Sequence, residues 1–77
     1  MINLSPRHLT SIETNFGVLN VEAAKLEDIF KLKIGYPNQI ATIFISPTHK
    51  GNYRSETTRG PLIIAEEELR KAIKPIA

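Results

Sequence analysis

The chain has no cysteine, and at 77 residues it is short enough for that absence to govern what it can become. A domain of this size buries only about 60–65% of its unfolded surface. Ordering each residue costs roughly 1.5 kcal/mol, which nearly cancels the return from apolar burial. Neither disulfides nor thiolate-bound zinc can make up the difference. Two sources of stability remain: close packing of the aliphatic residues, or burial of further surface against a second copy or another partner.

The length sets one compact domain over residues 1–77, and a hydrophobic fraction of 42% argues against global disorder. The opening "MINLSPRHLT" lacks the basic-then-apolar order of a secretion signal, and "IATIFI" is too short to cross a bilayer. Absence of cysteine also suits a reducing compartment. A soluble cytoplasmic protein with no membrane partner is the expectation.

Periodicity divides the chain into helices and strands. Ser5 as a cap, Pro6 in the first turn, and Leu4 and Leu9 placed as a staple give a helix start signal. Leu9, Ile12 and Phe16 recur at helical spacing, and Gly17 supplies a stop. Asn20 can cap a second helix over most of 21–29, with Ala23, Leu26 and Phe30 on one face. "FKLKI" then alternates apolar and basic residues as a half-buried strand does; a helix persisting to Gly35 is the alternative. Either way Lys31 and Lys33 face solvent.

"GYPN" reads as a turn, and "QIATIFIS" as a central strand apolar on both faces, ended by Pro47. "PLII" reads as a short strand leading into the helix "AEEELRKAIK". There Glu66, Glu67 and Glu68 suit the positive end of the helix dipole, and Arg70, Lys71 and Lys74 the negative end. Glu66–Arg70 and Glu67–Lys71 are i,i+4 pairs in the favourable order. These elements predict an α+β fold, two or three mostly antiparallel strands packed against two or three helices. The expected core is Leu9, Ile12, Phe16, Leu26, Ile29, Phe30, Ile43, Ile45, Ile63, Leu69 and Ile73.

Charge is uneven along this frame. Between residues 31 and 59 the cations Lys31, Lys33, Lys50, Arg54 and Arg59 meet a single acid, Glu56, whereas the remainder carries five cations against seven acids. Much of the positive charge lies in "SPTHKGNYRSETTRG", residues 46–60, which has little to bury. "KGN" can turn a β-hairpin between "QIATIFISPTH" and "NYRSETT"; an exposed basic loop is the alternative. Lys31, Lys33, Lys50, Tyr53, Arg54 and Arg59 are therefore the candidate partner-binding residues.

The same residue types serve two partner classes. Arginine can fork onto carboxylates of another protein, so a noncatalytic protein-binding or regulatory module, self-association included, is the leading reading. Lysine and arginine also neutralise phosphates and tyrosine stacks on unpaired bases, which makes RNA or DNA binding the alternative. Recognition-helix, zinc-finger and ribonucleoprotein signatures do not stand out.

Catalysis is the weaker reading. His49 and His8 could exchange protons around a phosphodiester in a metal-independent ribonuclease, with Glu56 or Arg54 orienting or neutralising the phosphodiester. Their separation in sequence gives no reason for them to converge. The sequence offers no P-loop, activated hydroxyl, cofactor motif or metal-ligand set.

Overall fold

The computed structural model describes residues 7–77, and the chain is mostly β-structure. Its strands are β1 (Arg7–Thr14), β2 (Gly17–Leu26), β3 (Ile29–Ile34), β4 (Ala41–Ile45), β5 (Tyr53–Thr57) and β6 (Gly60–Ile64). Among the described residues one helix, α1 (Glu66–Ile73), runs into a 3-10 turn over Lys74–Ile76. The first four strands form an antiparallel meander in the order β1-β2-β3-β4, and β5 with β6 makes a separate two-stranded hairpin. This overturns the expected balance of two or three strands against two or three helices.

Both expected early helices are strands. Ser5, Pro6 and Leu4, which supplied the first start signal, lie outside the described residues. Over Arg7–Thr14 the alternation of burial has period 2, with Ile12 inward and Leu9 61% exposed, so the three-to-four spacing of Leu9, Ile12 and Phe16 was coincidental. β2 contains good helix formers in "VEAAKL", yet it is hydrogen-bonded by β1 on one side and β3 on the other. Two ladders and full burial of Val21 and Ala23 outweigh a propensity worth a few tenths of a kcal/mol per residue.

"FKLKI" is a strand, and its two lysines lie opposite Ala24 and Glu22 of β2. β4, read as a central strand, is an edge strand whose Phe44 is 50% exposed. It does not pair with β5; β5 pairs with β6 through a turn at Thr58 and Arg59. That turn repeats the one between β1 and β2. In each a threonine hydroxyl donates to the carbonyl of the glycine three residues on, and accepts from the N–H two residues on: Thr14 with Gly17 and Phe16, Thr57 with Gly60 and Arg59.

The core lies between the inner face of the meander and a cover made of β6, α1 and the 3-10 turn. Ile12, Val21, Leu32, Ile34, Ile43 and Ile45 point in from the sheet, each 2% exposed or less. Leu62 and Ile64 meet them from β6, with Leu69, Ala72, Ile73 and Ile76 from the C-terminal segment, all within one cluster. Each buried Val, Leu or Ile side chain among them stabilises the fold by about 1.5–3 kcal/mol.

The expected core is thus partly corrected: Leu9, Leu26 and Ile63 are exposed, Ile29 is half-buried, and Phe16 only packs against the cluster's margin. Asn15 ties the cover to the meander, donating from its backbone N–H to Ile63 O (3.3 Å) and from Nδ2 to Pro61 O (2.8 Å). Its Oδ1 accepts from the Ile63 N–H at 2.7 Å.

Candidate binding surface

The meander has one face turned to the core and one turned outward, and the register fixes what the outward face carries. Arg7, Ala24, Lys31 and Phe44 stand in one cross-strand row, and Leu9, Glu22, Lys33 and Thr42 in the next. Neighbours in such a row have Cβ atoms about 4.5–5.5 Å apart, close enough to act together. Leu9, Val18, Leu26 and Phe44 are exposed by 61%, 66%, 37% and 50%, so the face combines apolar and basic groups.

Glu22 sits in the middle of this face and is 7% exposed. Arg7 Nη1 approaches its Oε2 at 3.4 Å and Lys33 Nζ its Oε1 at 3.7 Å. One buried carboxylate therefore organises two cations from strands on either side of β2. Lys31, one row away beside Phe44, has no carboxylate within ion-pair distance among the described residues. Among the described residues it is the free cation of the face.

The segment 46–52 is not an arm of a ribbon but a strap across the start of α1. Ser46 and Thr48 share a hydroxyl contact at 3.0 Å, and His49 donates its backbone N–H to Ser46 O. Arg70 donates from Nη2 to His49 O, the Gly51 N–H donates to Glu66 Oε1 at 2.8 Å, and the Glu66 N–H donates to Asn52 Oδ1 at 3.0 Å. The helix lacks a side-chain cap of its own at Ala65, so Asn52 caps it from across the fold.

The expected binding residues are accordingly divided among elements. Lys31 and Lys33 share the outer sheet face. Lys50 is exposed on the strap, Arg54 on the far side of β5, and Arg59 in the β5–β6 turn. Arg54 Nη2 pairs with Glu56 at 3.2 Å. Tyr53 is half-buried against the core and its ring lies 5.8 Å from that of His49.

The catalytic candidates stand on different elements. His8 faces Ala23 within the β1–β2 pair, His49 lies on the strap beyond β4, and β2 and β3 separate their strands. Glu56 is engaged by Arg54. Among the described residues, no three His, Asp or Glu side chains gather where they could hold a metal ion, and no helix is long and apolar enough to cross a membrane.

The helix acids are engaged as well. Glu66 also approaches Arg70 at 3.8 Å, the expected i,i+4 pair, whereas Lys71 pairs with Glu68 at 3.4 Å rather than with Glu67. The Glu13 N–H donates to Glu68 Oε1 at 2.9 Å. That backbone bond, with help from Lys71, holds the Glu68 carboxyl below its ordinary pKa.

Sequence reasoning found Lys31 and Lys33 but missed Leu9 and Glu22, because helical readings of 7–29 hid the outer face, and Phe44, because β4 reads as covered on both sides. A usable signal was present. "LEDI" can turn a hairpin that sets "VEAAK" against "FKLKI" and places Glu22 opposite Lys33. Comparisons of the chain with protein-family models, with curated proteins and with solved structures found no match.

Proposed function

We propose that the chain is a noncatalytic protein-binding or regulatory module whose docking surface is the outer face of the four-stranded sheet. The observation that carries this reading is the joint exposure of Phe44 and Leu9 around the Lys31–Lys33 rows. An aromatic or aliphatic anchor beside a free cation suits a partner protein with an apolar patch rimmed by acids. RNA or DNA remains the alternative, favoured by Lys31 standing directly beside Phe44, a cation next to a stacking platform. Phosphate binding gains with each free cation, and Glu22 already engages Arg7 and Lys33. Charge on this face therefore favours protein.

Affinity capture from a native extract, with and without nuclease, tests the reading. Wild type should recover a protein in both conditions, and Phe44→Ala and Lys31→Glu should lose it while their far-UV spectra stay unchanged. Capture that disappears with nuclease, or that neither variant weakens, refutes it. Salt dependence then separates the classes: a nucleic-acid ligand would bind with a steep salt slope that Lys31→Glu makes shallower.

A further inference from the structure

Edge strands end in unpaired backbone groups, and β1 is an edge of the meander. Its side facing away from β2 is defined by two bonds: the Glu13 N–H points to Glu68 and the Asn15 N–H to Ile63 O. Backbone direction alternates along a strand, so the N–H and C=O groups of Arg7, Leu9 and Ser11 point to that same outer edge. Glu68 of the helix and Ile63 of β6 take up this side at Glu13 and Asn15. Arg7, Leu9 and Ser11 are all exposed, and among the described residues nothing bonds the Leu9 or Ser11 N–H.

We infer that this free edge, Arg7–Ser11, pairs antiparallel with the same edge of a second copy about a two-fold axis at Leu9. Of the axes that leave the Glu13–Glu68 bond intact, the one at Leu9 lies nearest that bond, so Leu9 meets Leu9 of the partner subunit and Arg7 meets Ser11 of the partner subunit. Both copies stop pairing where Glu68 caps Glu13, which bars any axis nearer the hairpin. An antiparallel ladder of this length carries about six backbone hydrogen bonds. The two Leu9 side chains, each 61% exposed alone, cover one another.

Charge is complementary in this register. Arg7 stands diagonal to Glu13 of the partner subunit, at the roughly 7–8 Å spacing that long side chains bridge. Its side chain is 66% exposed while it holds Glu22, which leaves guanidinium donors free. A two-fold shifted to Thr10 would instead require Glu13 to release Glu68. The contact is smaller than the roughly 1,200 Å² of stable complexes, so it belongs to the weak, concentration-dependent class.

Sedimentation between about 10 μM and 1 mM tests this, a range matched to weak dissociation constants. The weight-average mass should rise from 8.6 kDa toward twice that value and no further. The Leu9 and Ser11 amides should gain protection from hydrogen exchange as concentration rises. Leu9→Lys sets two ammonium groups at the axis, and Leu9→Pro removes an N–H that bonds only in the pair; each should weaken association at least tenfold.

Val18→Lys, on the same face but at the hairpin end, should leave the mass unchanged. Thermal melts establish that each variant folds, and Leu9→Lys carries the test if the proline variant does not. A constant mass of 8.6 kDa overturns the inference. So does growth beyond two copies, which marks open β1-to-β4 pairing, or dissociation by Val18→Lys equal to that by Leu9→Lys, which marks face-to-face stacking. The proposal rests on the strand edge and uses only Leu9 of the outer face, so failure of the capture experiment, whose variants lie at Phe44 and Lys31, leaves it standing.

Discussion

Replacing Asn52 by alanine should unfasten the start of α1 from the other side of the molecule. The helix has eight residues, below the roughly 12–15 that an isolated helix needs, and Ala65 provides no side-chain cap. Asn52 Oδ1 supplies the acceptor for the Glu66 N–H at 3.0 Å. Loss of a capping acceptor costs about 1 kcal/mol, within a range of roughly 0.5–2. Unfolding entropy near 2.1 cal/mol/K per residue over 77 residues gives roughly 0.16 kcal/mol/K, so Asn52→Ala should lower Tm by about 6 °C.

Asn52→Asp keeps an oxygen acceptor at the positive end of the helix and should recover most of that loss. Two assays read the effect: a thermal melt by circular dichroism, and the rate of tryptic cleavage between Lys50 and Gly51. The strap is tied down next to that bond by Gly51 and Glu66, so cleavage should accelerate in Asn52→Ala. A shift below about 2 °C with unchanged cleavage would refute the cross-fold cap, since it would mean the helix start draws nothing from the strap.

Two glycines with the same φ of +88° should respond differently to alanine. At Gly51 the new Cβ meets open space, and the cost should be the left-handed backbone penalty of about 1–2 kcal/mol. At Gly35 it would stand 2.9 Å from Ile40 Cγ1 and 3.0 Å from Asn38 O, adding about 1–3 kcal/mol of overpacking; equal urea midpoints would contradict this. Because the Glu68 pKa is lowered on folding, its stabilisation is complete above the unfolded carboxyl value of about 4.3 and is lost as pH falls through the folded value. The stability gap between wild type and Glu68→Gln should therefore hold steady near neutrality and close in acid; a gap that widens in acid would reverse the assignment.

The legible parts of the fold were those decided within a few residues of chain. The α1 charge gradient, its preceding strand, the stop at Pro47 and the outward placement of Lys31 and Lys33 all follow from local order. The candidate surface was half legible for the same reason: Lys31 and Lys33 alternate visibly with apolar neighbours. Leu9 and Phe44 do not announce themselves, because an exposed apolar residue in a strand has the same sequence signature as a buried one. "PLII" shows the limit plainly, since nothing local says that Leu62 and Ile64 turn inward while Ile63 turns out.

By itself the sequence determined a small cysteine-free chain that must be held by aliphatic packing, with a helix at its end and positive charge through its middle. Tertiary structure alone decided that residues 7–26 are strands, that 46–52 straps the helix, and that Glu22 gathers Arg7 and Lys33. The physical reason is that helix bonds close within four residues, whereas a strand's partners lie at any distance along the chain. In β2 those distant ladders and the burial of Val21 and Ala23 prevail over a local helical preference too small to resist them.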